Sequence, residues 1–123
     1  MNKMFKNKVA LVTGGGSGIG RSTALAFAEE GAKVVVADVV VSGGEEKVLM
    51  IKEAGGEAIF VRTDVTKPDE VEALIQQAVN AYGRLDCAFN NAGIDLEAGV
   101  TSHKHSEEGW DKTISVNLKG VWL

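Results

Sequence analysis

Cysteine, proline and tyrosine each occur once in this chain of 123 residues. A lone Cys87 excludes an internal disulfide framework. The opening Met1-Asn2-Lys3-Met4-Phe5-Lys6 has no apolar run of the signal-peptide kind, and no stretch is long and apolar enough to span a bilayer, so a cytoplasmic setting with no membrane partner is expected. Basic residues are also short: 13 Lys and Arg face 17 Asp and Glu, a net charge of −4. With no basic patch to compensate, a polyanion would be repelled, and no nucleic-acid partner is expected. One proline against 15 glycines suggests that glycine serves sharp turns and close backbone approach more than flexibility.

What remains is ordinary for a folded α/β domain, at 45% hydrophobic and 24% charged residues. Lys8 to Thr13 reads as a buried strand feeding a glycine cluster, and Ile19 to Glu30 as a helix closed by Gly31. The β-branched run Lys33 to Asp38 is a second, central strand. Ser42-Gly43-Gly44-Glu45 has capping-box spacing for a helix running to about Ala54 and stopped by Gly55-Gly56. Ala58 to Val61 forms a third strand. Pro68 opens a third helix whose stripe of Val71, Leu74, Ile75, Ala78 and Tyr82 ends at Gly83. Leu85 to Asn90 reads as a fourth strand, Ile94 to His105 as a polar loop, and Ser106 as the N-cap of a helix running to Leu123.

Strands alternating with single helices pair in parallel through right-handed crossovers. The expected fold is a doubly wound, Rossmann-like α/β sheet in the order 3-2-1-4, a single domain over 1–123 without an internal linker. Strand four would then lie at an edge although its sequence is apolar, which suggests that the sheet is incomplete there.

Thr13-Gly14-Gly15-Gly16-Ser17-Gly18-Ile19-Gly20 joins the first strand to the first helix. Residues without Cβ let a backbone turn tightly against a pyrophosphate, and the free N–H groups and helix dipole favour its charge. The segment from Gly14 through Ser17, Gly18 and Ile19 to Gly20 is therefore a candidate dinucleotide site. The Gly-Lys-Ser/Thr of the other common phosphate loop is absent. Asp38 closes strand two 18 residues after Gly20, where a carboxylate can accept bonds from ribose hydroxyls and would repel a 2′-phosphate. With no Arg or Lys at Ser17, Val39 or Val40, the expected cofactor is NAD, with NADP disfavoured.

These motifs, with Asp64-Val65, Asn90-Asn91-Ala92-Gly93 and Val116-Asn117-Leu118-Lys119-Gly120 following in order, resemble the short-chain dehydrogenase/reductase family along essentially the whole chain. The resemblance implies that Asp64 bonds the adenine amino group with Val65 beside the ring, and that Asn90 contacts cofactor while Asn91 steadies the sheet. It also implies that Ala92 and Gly93 pass close to the ribose. The residues alone would also allow Asn90-Asn91 to be simply an Asx turn. Asn117 shares a face with Trp110, Ile114 and Val121, so a satisfied core asparagine is one reading. The resemblance implies the other: membership of an Asn-Ser-Tyr-Lys tetrad in which this asparagine holds a water in a proton relay.

The rest of that tetrad is not found. The one tyrosine, Tyr82, has Asp86 four residues on and belongs to an apolar stripe, so it is expected in the core. Ser102 and Ser106 have no base beside them and read as loop and cap residues. His103 and His105 lack a third ligand, so no metal is expected, and Cys87 reads as an inert thiol. The resemblance then implies the N-terminal, cofactor-binding part of an NAD(H)-dependent oxidoreductase that moves a hydride between nicotinamide and a small alcohol or ketone. These 123 residues alone are expected to show no turnover and to bind cofactor weakly, and an association into homo-oligomers is expected. The alternative is a truncated, non-catalytic nucleotide-binding module.

Overall fold

The computed structural model describes residues 3–94, 104 and 106–123. Four strands, β1 (Val9–Thr13), β2 (Lys33–Asp38), β3 (Glu57–Arg62) and β4 (Cys87–Phe89), form one parallel sheet in the order β3-β2-β1-β4. The expected order is the one observed.

Strand alternation divides the core into two layers. Ala10, Val12, Val34, Val36 and Ala58 face α1 (Gly18–Glu29) and α2 (Val41–Glu53), packing on Ala24 and Ile51. Val9, Leu11, Val35, Ala37 and Val61 face α3 (Pro68–Tyr82), where Leu74 and Ala78 complete the cluster with half-buried Tyr82 and Leu85. Tyr82 is thus packed against the core as expected. Helix ends follow the glycines: past α1 the N–H groups of Gly31 and Ala32 donate to the carbonyls of Ala28 and Phe27, and Gly55 and Gly56 close α2 by the same pair of bonds.

Three local expectations are corrected. α2 begins at Val41 with Val40 at its N-cap and no side-chain cap, so Ser42 lies inside the first turn and no capping box forms. The N–H of Val40 is instead taken by Asp38 Oδ1 at 3.1 Å, which starts the helix from the strand end. β4 is three residues long, not Leu85 to Asn90, because Leu85 turns into the α3-side cluster and Asp86 caps β1 by accepting the Val9 N–H at 2.8 Å.

The third correction concerns the last helix. Ser106 caps α4 (Glu107–Ile114) as expected, its Oγ accepting the Gly109 N–H at 2.9 Å. A π-helical turn, Ser115–Lys119, then carries the chain into a short α5 (Gly120–Trp122). The wider turn interrupts the 3.6-residue spacing on which the expected stripe rested, and Asn117 is not a core residue. It is exposed, as are Trp110 and Val121. Among the described residues no helix is long and apolar enough to cross a membrane. Ser102, His103 and His105 lie outside the described residues.

Candidate functional site

In an open parallel sheet the strands deliver their following loops to one edge, and ligands are received there. That edge holds a cleft of about 380 Å³. Its walls are Gly14, Ser17, Gly18 and Ile19 after β1; Asp38 and Val39 at the end of β2; Asp64 and Val65 after β3; and Asn91, Ala92, Gly93 and Ile94 after β4, with Val116 from the π-helical turn. A larger recess of about 560 Å³ lies at the opposite edge, between the ends of α1 and α2. The strands' carboxyl ends point away from it.

The first wall is a turn whose left-handed backbone favours glycine at two points: Gly14 and Gly18 have φ of +64° and +54°. A Cβ on Gly14 would meet Asn91 Nδ2 at 3.0 Å and Ala92 Cα at 3.1 Å, so the turn is pressed against the β4 loop. Gly20 is buried behind it, and a Cβ there would overlap the Gly14 carbonyl. Arg21 makes the first intrahelical bond, to the Ser17 carbonyl at 3.0 Å, and no side chain caps the helix. The N–H groups of Gly18 and Ile19 at the cleft thus precede the helix's own bonding and can receive an anion. No acidic residue stands in that first turn to compete.

Asp38 is held from both sides. Its Oδ2 accepts the Gly16 N–H and its Oδ1 the Val40 N–H, each at 3.1 Å. Each oxygen keeps lone-pair capacity for a further donor, so the carboxylate is aimed without being consumed. Asp64 is fixed in a tight local turn: Oδ1 accepts from the Thr66 hydroxyl at 2.6 Å and the Thr66 N–H at 2.9 Å. These two bonds, hydroxyl first, hold its carboxyl below the usual carboxylate range. Its own N–H donates to Glu70 Oε1 at 3.1 Å, a carboxylate that also takes Arg62 at 3.2 Å, tying β3 to α3.

The β4 loop is tied to β1 by Thr13. Its buried hydroxyl accepts the Ala92 N–H at 3.0 Å and reaches the Phe89 carbonyl at 3.5 Å, while Asn91 Nδ2 donates to the Gly14 carbonyl at 3.3 Å. Asn117 closes the far end. Its Nδ2 donates to the Ile94 carbonyl at 2.9 Å and its Oδ1 accepts the Ile94 N–H at 2.8 Å.

Of the residues singled out from sequence, Gly14, Ser17, Gly18, Ile19, Asp38, Asp64, Val65, Ala92 and Gly93 converge on the cleft. Gly20 and Asn117 shape it from behind, and Asn90 lines a small adjoining recess with Thr13 and Val65. Thr13 and Val116, which stand within the sequence motifs, and Ile94, which opens the expected polar loop, have no site role of their own in the sequence reading. A polar residue ending the otherwise apolar run of β1 was the available signal for Thr13; nothing local marks the other two. Tyr82 lies at the opposite edge, its ring beneath Lys33 Nζ at 5.6 Å. Burial, then the charge of Glu57, raises its pKa.

A parallel doubly wound sheet with a cleft beyond its carboxyl edge defines the Rossmann-like class of α/β protein. The chain belongs, more narrowly, to the short chain dehydrogenase family, which it matches over residues 8–123. It is 46% identical over 119 residues to an uncharacterized oxidoreductase of Thermotoga maritima, covering 97% of this chain and 46% of that protein. It is 43% identical over 122 residues to a cyclohexanol dehydrogenase of Acinetobacter sp., covering 99% and 48%. A crystal structure of a short chain dehydrogenase/reductase from Burkholderia phymatum in complex with NAD superimposes with a TM-score of 0.91 at 40% identity, covering 99% of this chain and 42% of that one. The chain spans about half the length of the relatives it matches.

Proposed function

We propose that these 123 residues form one nucleotide-binding unit of an NAD(H)-dependent oxidoreductase acting on a small alcohol or ketone. The observation that carries the reading is the juxtaposition of an uncapped helix start behind a glycine turn with the doubly held Asp38 carboxylate across one cleft. The relatives support it: the similar solved structure is described in complex with NAD, and one relative is named a cyclohexanol dehydrogenase.

The residues fit the cofactor. The turn from Gly14 through Ser17, Gly18 and Ile19 holds the diphosphate by backbone N–H groups, with Gly20 letting the turn close down on the helix start from behind. Asp38 accepts the adenosine ribose hydroxyls and repels a 2′-phosphate, which selects NAD over NADP. Asp64 and Val65 receive the adenine, while Ala92 and Gly93 let the backbone pass beside the second ribose with Asn90 at its margin. When bound, NAD supplies a nicotinamide ring that takes a hydride from a carbinol carbon or returns one to a carbonyl. Asn117 acts as a positioning residue, since its side chain is engaged on the Ile94 backbone that forms the wall there.

A second reading, a nucleotide-binding module without turnover, is favoured by Tyr82. The one tyrosine of the sequence is at the opposite edge from the cleft with a raised pKa, the reverse of what proton transfer near neutrality needs. Calorimetry with NAD, NADP and AMP tests the binding reading that both share: NAD should bind more tightly than NADP, and NADP tighter than NAD would overturn the role given to Asp38. Both readings expect no alcohol oxidation from the 123 residues alone. Sequencing the gene past codon 123 separates them, a downstream Ser and Tyr-x-x-x-Lys supporting the first and an immediate stop codon the second.

A further inference from the structure

Asp38 is aimed by Gly16, and Gly16 is itself wedged. A Cβ on Gly16 would stand 2.9 Å from Asp38 Oδ2 on one side and 3.1 Å from the Gly44 nitrogen on the other. From the opposite direction, a Cβ on Gly43 would stand 3.1 Å from the Gly16 carbonyl oxygen. The first turn of α2 and the phosphate-facing turn thus meet main chain to main chain, with neither side holding a rotatable group that could give way.

We propose that Gly43, outside the glycine motif that faces the cleft, is a positioning residue that sets NAD over NADP selectivity by fixing Gly16 and, through it, the Asp38 carboxylate. The proposal rests on the reading of Asp38 as the ribose acceptor.

Two features decide which side yields when a side chain is added at Gly43. α2 is anchored by fully buried Ile51 and by Gly44, whose Cα lies against the Phe60 ring so closely that a Cβ there would overlap it. The glycine turn is tied down at Gly15, whose N–H donates to the Ala37 carbonyl at 3.2 Å, and at Gly14 by Asn91, but Gly16 itself is bonded to Asp38, and it is this residue that gives. A contact of 3.1 Å requires its neighbour to give by a few tenths of an ångström. The Gly16 N–H to Asp38 Oδ2 bond is already 3.1 Å long, so a shift of that size weakens or breaks it. The carboxylate keeps its charge and still repels a 2′-phosphate but loses its aim at ribose hydroxyls. NAD affinity therefore falls while NADP affinity does not.

The test uses the 123-residue chain with Gly43→Ala, Gly43→Val, Asp38→Ala and, as a control on exposed α2 surface, Leu49→Ala. Calorimetry should give NAD binding weaker by about threefold for Gly43→Ala and about tenfold for Gly43→Val, with NADP unchanged, so that the ratio narrows stepwise. Leu49→Ala should match the parent. Amide hydrogen exchange should show faster exchange at Gly16 in both Gly43 variants without any ligand present. If Gly43→Val does not fold, Gly43→Ala decides. Unchanged Gly16 exchange, an unchanged ratio, or equal weakening of both cofactors in a folded variant overturns the proposal. If Asp38→Ala also leaves the ratio unchanged, the ribose reading of Asp38 fails with it; if Asp38→Ala narrows the ratio and Gly43 variants do not, the positioning role alone fails.

Discussion

The side-chain amide of Asn117 stands toward the backbone of Ile94 as a neighbouring strand would, donating to its carbonyl at 2.9 Å and accepting its N–H at 2.8 Å. One side chain thereby joins the π-helical turn to the loop after β4, and so fixes the wall formed by Gly93 and Ile94. The pair is solvent-exposed, so water can replace part of what is lost on truncation. Asn117→Ala should cost about 1 kcal/mol in urea unfolding. Asn117→Asp should not recover it, because a carboxylate cannot donate to the Ile94 carbonyl. Full stability in both variants would show that the contact contributes nothing.

Gly20 tolerates no side chain. A Cβ would overlap the Gly14 carbonyl and stand 2.6 Å from Asn91 Nδ2, and main chain cannot rotate aside. Gly20→Ala should lower stability by about 3 kcal/mol, the upper end for overpacking, and abolish nucleotide binding. Thermal unfolding and an NAD titration check both, and a variant with the parent's midpoint would contradict the packing described.

Thr13 bridges β1 to the loop after β4. Thr13→Val keeps the shape but leaves the Ala92 N–H without its acceptor, at a cost of about 1–2 kcal/mol. Thr13→Ser should retain most of the stability. Loss in Thr13→Ser without loss in Thr13→Val, followed by chemical denaturation, would assign the effect to the methyl group rather than the hydroxyl.

Asp64 sets a pH dependence with a defined sign. Its carboxyl is held below its ordinary value chiefly by the Thr66 hydroxyl, so the stabilisation is fully present above the ordinary carboxylate range of about 4. It is lost as pH falls through the lowered folded value. Thr66→Val should move the Asp64 titration upward, read from its carboxyl carbon by NMR. The stability gap between parent and variant should shrink on acidification. A gap that widens toward acid would reverse the assignment.

Local pattern made most of the frame readable. The β-branched run Lys33–Asp38 is a strand to the residue, because nothing but a buried central strand suits such a run between a helix-closing glycine and an acid. Pro68 and Gly83 bound α3 for equally local reasons. The start of α2 was hidden because Ser42 offers a cap by spacing, while the actual start depends on Asp38 seizing the Val40 N–H and on Gly43 meeting Gly16. The π-helical turn was hidden likewise, since helical spacing presumes a uniform pitch. In the cleft, the glycine turn and Asp38 carry their chemistry in adjacent residues. The bonds that fix the cleft's shape, Asn91 to Gly14 and Asn117 to Ile94, join residues 77 and 23 apart, and no local pattern records them.

The bond from Asn91 to Gly14 binds the two jaws of the cleft into one piece before anything enters. A ligand arriving there meets a mould that is already set, so little freedom is left for it to quench. The enthalpy of its own contacts, not the cost of freezing loose chain, then governs how tightly it is kept.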